Sequence, residues 1–99
     1  MEVLKGILKD SLSYYQRLEK DLLRRIEALP KGSVKCRRIK GHPYYYLQWR
    51  QGSKVVHKYL GTREPGTLVE KIRKRRTLAR ELKKAREALR LLPQRKIRS

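Results

Sequence analysis

Apolar residues return at every third or fourth position over the first third of the chain. Leu4, Ile7, Leu8, Leu12, Tyr15, Leu18, Leu22, Ile26 and Leu29 fall on one stripe of a helix, which predicts an amphipathic helix over residues 3–29. Pro30 and Gly32, in "LPKGS", stop it. The period then changes. Residues 34–39, 43–50 and 54–60 are β-branched or aromatic runs separated by "KG" at 40–41 and "QGS" at 51–53, which predicts a three-stranded antiparallel meander within residues 33–61. Helical spacing resumes over residues 67–92, through Leu68, Ile72, Leu78, Ala79, Leu82, Ala85, Leu89 and Leu92. Thr67 and Glu70 read as a capping box at its start, and Pro93 closes it. The pattern predicts an α+β fold: long helix, three-stranded antiparallel meander, long helix, in a single domain of residues 1–99 with a frayed basic tail at 93–99. Each helix would reach about 39 Å at about 1.5 Å per residue, longer than a three-stranded sheet is wide. The two helices are therefore expected to pack antiparallel, and leftover apolar stripe would favour a homodimer.

Two-residue turns at 40–41 (or 41–42) and at 52–53 would divide the strands into two faces. One collects Val34, Cys36, Tyr45, Leu47, Trp49, Val56 and Leu60, with Lys58 among them, and is the natural core. The other collects Lys35, Arg37, Ile39, Tyr44, Tyr46, Gln48, Arg50, Val55, His57 and Tyr59. Two alternatives stay open. A one-residue shift in the second turn would send Val55 and Tyr59 to the core, and the first helix could cover the aromatic-cationic face.

Charge sharpens the picture. The chain has 28 Lys plus Arg against 9 Asp plus Glu, a net charge of +19. Residues 1–30 carry six basic and five acidic side chains; residues 31–63 carry nine basic and none acidic; residues 64–99 carry thirteen basic and four acidic. Such a field opposes compactness unless a partner neutralises it, and nucleic acid is the commonest such partner. An acidic protein, an anionic membrane or a basic surface that merely keeps the chain soluble are the other readings. On the second helix Arg73, Arg76, Arg80, Lys83, Lys84 and Arg90 run opposite the apolar arc with Glu87 the one acid among them, whereas the first helix mixes signs.

Chemistry is hard to find. The only aspartates, Asp10 and Asp21, sit on the near-neutral first helix; His42 and His57 have no acidic neighbour in sequence; and no phosphate loop is present. The single cysteine, Cys36, reads as core, since it can form no internal disulfide and too few ligands accompany it for zinc. The expectation is a non-enzyme without cofactors or metal. With no signal peptide and no membrane span, it would be cytoplasmic, or nucleoid-associated if it binds DNA.

"PKGS" at 30–33, Ile39 to Arg50 with its "YYYLQWR", and Lys54 to Gly61 ending in "KYLG" resemble a small prokaryotic and mobile-element domain family of unknown function. That resemblance covers about residues 30–92 and implies the architecture without an activity. More distantly, the sheet followed by a helix is similar to the DNA-binding domains of tyrosine-recombinase amino termini and AP2-type factors, which implies groove-facing Arg37, Tyr46, Gln48, Arg50 and His57. The expected function is nucleic-acid binding, DNA before RNA, through Lys35, Arg37, Tyr44, Tyr46, Gln48, Arg50, His57, Arg73, Arg76, Arg80, Lys83 and Lys84 joined in one continuous patch. RNA- or ribosome-associated binding is one alternative. A helical interaction module that meets an acidic protein is another.

Overall fold

The computed structural model describes the backbone of residues 2–93 and the side chains of residues 9–93. The expected side chains of Leu4, Ile7 and Leu8 and the basic tail beyond Pro93 lie outside the described residues. The order of elements is α1 (Glu2–Glu27), β1 (Ser33–Ile39), β2 (His42–Gln51), β3 (Lys54–Gly61) and α2 (Gly66–Leu91). Every predicted element is present, within two residues at each end.

The strands form one antiparallel sheet in the order β1-β2-β3. Both hairpin loops are two residues long. In the first, Lys40 and Gly41 both have positive φ, at 52° and 83°; in the second only Gly52 does, at 65°. Such loops match the right-handed twist of the strands they join, and they fix the register. Val34 stands opposite Leu47 and Cys36 opposite Tyr45; Trp49 stands opposite Val56. Arg50 is opposite Val55, and Tyr46 opposite Tyr59. The shifted alternative is thereby excluded, and Val55 and Tyr59 are 47% and 53% exposed. A bulge between Tyr45 and Tyr46 leaves Leu60 as the extra residue on β3, since Tyr45 pairs with Gly61 and Tyr46 with Tyr59.

The chain divides into two compact units, one of residues 1–28 with 77–99 and one of residues 29–76. The helical unit holds the buried side chains of Leu22, Ile26, Leu78, Leu82 and Ala85. The Arg86 Nε–H donates to Glu19 Oε2 at 2.8 Å, joining α1 to α2. From that contact burial runs toward the end of α1 and toward the start of α2, the order that antiparallel packing produces. Ala79, expected in the apolar arc, is exposed.

The sheet unit is built differently. Its one buried side chain among the described residues is Ile72 on α2, 5% exposed. The expected core face of the sheet reaches only half-burial at Val34, Tyr45, Leu47, Trp49, Val56 and Leu60. Cys36 is exposed, a correction to its reading as core. It lies on an edge strand, beside an open groove, so one flank of its side chain is never covered.

The start of α2 also departs from expectation. Val69 N–H donates to the Pro65 carbonyl at 3.0 Å, so the ladder begins at Pro65 and Thr67 already lies inside the first turn. Glu70 does not reach back toward a cap; its carboxylate pairs with Arg73 at 3.1 Å.

Candidate nucleic-acid interface

β2 is the central strand, and its alternation decides what each face offers. Tyr44, Tyr46, Gln48 and Arg50 point to one side and Tyr45, Leu47 and Trp49 to the other. Around the first set stand Lys35 and Arg37 from β1 and Val55, His57 and Tyr59 from β3. Cross-strand pairing sets Lys35, Tyr46 and Tyr59 in one row, and Ser33, Gln48 and His57 in the next. Lys35, Arg37, Arg50, His57 and Tyr59 are exposed, while Tyr44, Tyr46 and Gln48 are half-buried among them. Within the sheet unit this face is therefore open.

The rings gather at one end. Tyr59 lies 5.3 Å from Tyr46 and 6.4 Å from Tyr44 between centroids, tilted 54° and 39°. The Arg37 guanidinium sits 5.7 Å over the Tyr46 ring, within cation–π range. Tyr46 is thus used to orient Arg37, and Tyr59 remains the ring most available to an incoming group. No carboxylate occurs between residues 31 and 63. Among the described residues, Lys35, Arg37 and Arg50 make no ion pair.

Within the sheet unit, Arg73 and Arg76 of α2 do not join this face. Val69 and Ile72 set α2 along the opposite side of the sheet, where Val34, Cys36 and Tyr45 line an open groove of about 370 Å3 with them. Arg73 and Arg76 flank those apolar positions on the helix, so they line the same groove, together with Lys35 and Glu64. In the sheet unit the expected single patch is two surfaces, with Lys35 on the edge strand common to both. The reason is the docking of α2: a helix that packs through one stripe carries its flanking cations to the same side.

Arg76 has a further task. Its Nη2 donates to Ser33 Oγ at 3.0 Å and to the Gly32 carbonyl at 3.2 Å. Gly32 has φ +118°, and a Cβ there would stand 2.6 Å from the Gln48 carbonyl oxygen and 3.3 Å from Trp49 Cβ. Only glycine fits this close approach without a shift of β2. Residues 30–32 are thus a loop pressed onto the central strand, held by α2 through the Gly32 carbonyl and the adjoining Ser33 at the start of β1. Sequence reasoning placed Arg76 in the binding stripe and missed this tie; "PKGS" ahead of a strand was the available signal.

On the groove side, partial burial raises the Tyr45 phenol above its ordinary value; the neighbouring Cys36 thiol and the Glu64 carboxylate add to the shift, and Arg38 opposes it. In the helical unit Arg80, Lys83 and Lys84 are exposed. Arg80 donates to Thr77 Oγ1 at 3.3 Å, and among the described residues the two lysines make no ion pair. α1 differs, with Asp21 bridged to both Arg24 and Arg25. Among the described residues no helix is long and apolar enough to cross a membrane.

These features define a small helix–meander–helix α+β chain with an open, carboxylate-free, aromatic-cationic sheet face. The chain belongs to the DUF6788 family, described as a domain of unknown function, whose family model matches residues 12–74. The match takes in the second half of α1, the whole sheet and the first part of α2. No curated protein and no solved structure matches the chain.

Proposed function

We propose that this chain is a non-enzymatic nucleic-acid-binding protein, with duplex DNA the favoured target, and that it binds through the open sheet face. The observation that carries the proposal is the combination of Arg37, Arg50 and Lys35 around Tyr46, Gln48 and His57 on a solvent-facing sheet without a carboxylate. A sheet face can enter the major groove, where Gln and Arg bond base edges and Lys grips phosphates. The distant likeness to the amino-terminal domains of tyrosine recombinases and to AP2-type factors supports the same use of Arg37, Tyr46, Gln48, Arg50 and His57. The exposed cations of α2, Arg80, Lys83 and Lys84, add a second contact stripe. Exposure of Tyr59 favours one competing reading, stacking on bases of single strands or structured RNA.

The test is a binding panel of duplex DNA, single-stranded DNA and structured RNA, titrated across a salt series. With ~6–10 phosphates engaged, duplex affinity falls about 10³–10⁵-fold between about 50 and 200 mM salt. Preference for single strands, with loss of about 1–3 kcal/mol in Tyr59→Ala, selects the stacking reading. Failure of all three nucleic acids to bind at about 50 mM salt refutes the proposal and leaves the acidic-protein partner.

A further inference from the structure

β1 pairs with β2 on one side, and among the described residues no strand pairs with it on the other. Such an edge exposes backbone donors and acceptors that accept an added strand. Four consecutive residues, 33–36, line the groove beside α2. Successive side chains of a strand point to opposite faces, so a groove touched by all four looks onto the strand's edge and not onto one face alone. The opposite wall is α2, which offers Val69 and Ile72 as an apolar floor. An open strand edge beside a helix is a geometry for recognition of extended peptides: backbone bonds supply affinity, and alternate side chains drop into the floor.

Charge selects the occupant. Lys35, Arg73 and Arg76 line the groove, Arg73 being paired with Glu70 at 3.1 Å, and Glu64 is the one carboxylate among the lining residues. Both hydrogen bonds that Arg76 makes go to neutral oxygens, so they leave its charge unbalanced. The apolar floor suits aliphatic side chains and is wrong for a phosphate backbone. We propose that this groove docks an extended acidic segment of a partner protein as a fourth strand on β1. The groove shares Ser33 and Lys35 with the open sheet face, so Arg73→Glu and the peptide comparison, and not Lys35→Glu, separate this proposal from nucleic-acid binding.

The experiment uses the full chain and labelled peptides of seven residues, the length of β1. One alternates Glu with Val, one alternates Lys with Val, and one is the Glu peptide with prolines at two ladder positions. Anisotropy measures affinity, and amide spectra locate the contact. The Glu peptide binds at least about tenfold more tightly than the other two, because the Lys peptide meets like charge and the prolines remove ladder donors. Its amide shifts centre on residues 33–36 and on Val69 and Ile72. Lys35→Glu and Arg73→Glu each weaken it about tenfold with an unchanged melting temperature. Equal affinity for the three peptides overturns the proposal. So do shifts confined to Tyr46, His57 and Tyr59, shifts at 33–36 produced by duplex DNA instead of the Glu peptide, or an absence of Glu-peptide binding up to about 1 mM. The two proline and lysine peptides are tested on the unaltered chain, so the outcome does not depend on whether either variant folds.

Discussion

Tyr45, Leu47, Trp49 and Val56 share one face of the sheet and Tyr46, Gln48, His57 and Tyr59 the other; the central-strand residues of both faces are half-buried, but on β3 Val56 is half-buried while His57 and Tyr59 are exposed. Basic residues do not tell the faces apart. By the register, Arg38, Lys54 and Lys58 fall on the first and Lys35, Arg37 and Arg50 on the second. The difference lies in the middle of the central strand, where Leu47 and Trp49 on one side are answered by Tyr46 and Gln48 on the other. The loop at Gly32 presses on the apolar centre at Leu47 and Trp49, and α2 lies beside Val34, Cys36 and Tyr45. The aromatic and polar centre stays wet and keeps hydrogen-bonding groups for a ligand. One face thus serves stability, and the other is the face proposed for recognition.

That division can be broken by substitution. Ile72→Ala removes the buried anchor of the covered side and lowers unfolding free energy by about 2–5 kcal/mol, read from urea denaturation. Replacing Arg37 and Arg50 together by Glu lowers duplex affinity about a hundredfold or more at low salt. It leaves urea stability within about 0.5 kcal/mol; a loss like that of Ile72→Ala instead would make the open face part of the core. Gly32→Ala sharpens the comparison from the covered side. The added methyl meets the Gln48 carbonyl and the backbone is strained, so stability falls by about 1–3 kcal/mol in the same assay. Arg76→Ala gives the smallest effect, about 0.5–1.5 kcal/mol, through loss of its bonds to Ser33 and the Gly32 carbonyl. Ser33→Ala should reproduce part of it, and a change in DNA affinity without a change in stability would return Arg76 to the binding surface.

Much of the fold was legible because it rests on local signals. The two-residue loops at Lys40–Gly41 and Gly52–Ser53 set the register, and the register set both faces residue by residue. Three things were not legible, each for a nonlocal reason. Alternation says which way Cys36 points but not whether anything covers it, and an edge strand beside an open groove leaves it exposed. Arg76 shares a helical stripe with Arg80 and Lys83, but its partners are 43 and 44 residues away in sequence. The single cationic patch assumed that α2 would present its arginines beside the tyrosines. Val69 and Ile72 dock it on the other side. The capping box at Thr67 failed more simply, because Pro65 already supplies the first carbonyl of the helix.

The exposed thiol on β1 gives this chain a ready-made reporter. With one cysteine in the sequence, maleimide chemistry attaches a fluorophore or a nitroxide at position 36 alone, without engineering a handle. The probe would sit at the mouth of the channel beside α2, next to Tyr45 and on the side of the sheet away from Tyr44, Tyr46 and Tyr59. Its emission or spin mobility would distinguish, in a mixture, a polymer bound to the far side from a chain laid along the strand edge.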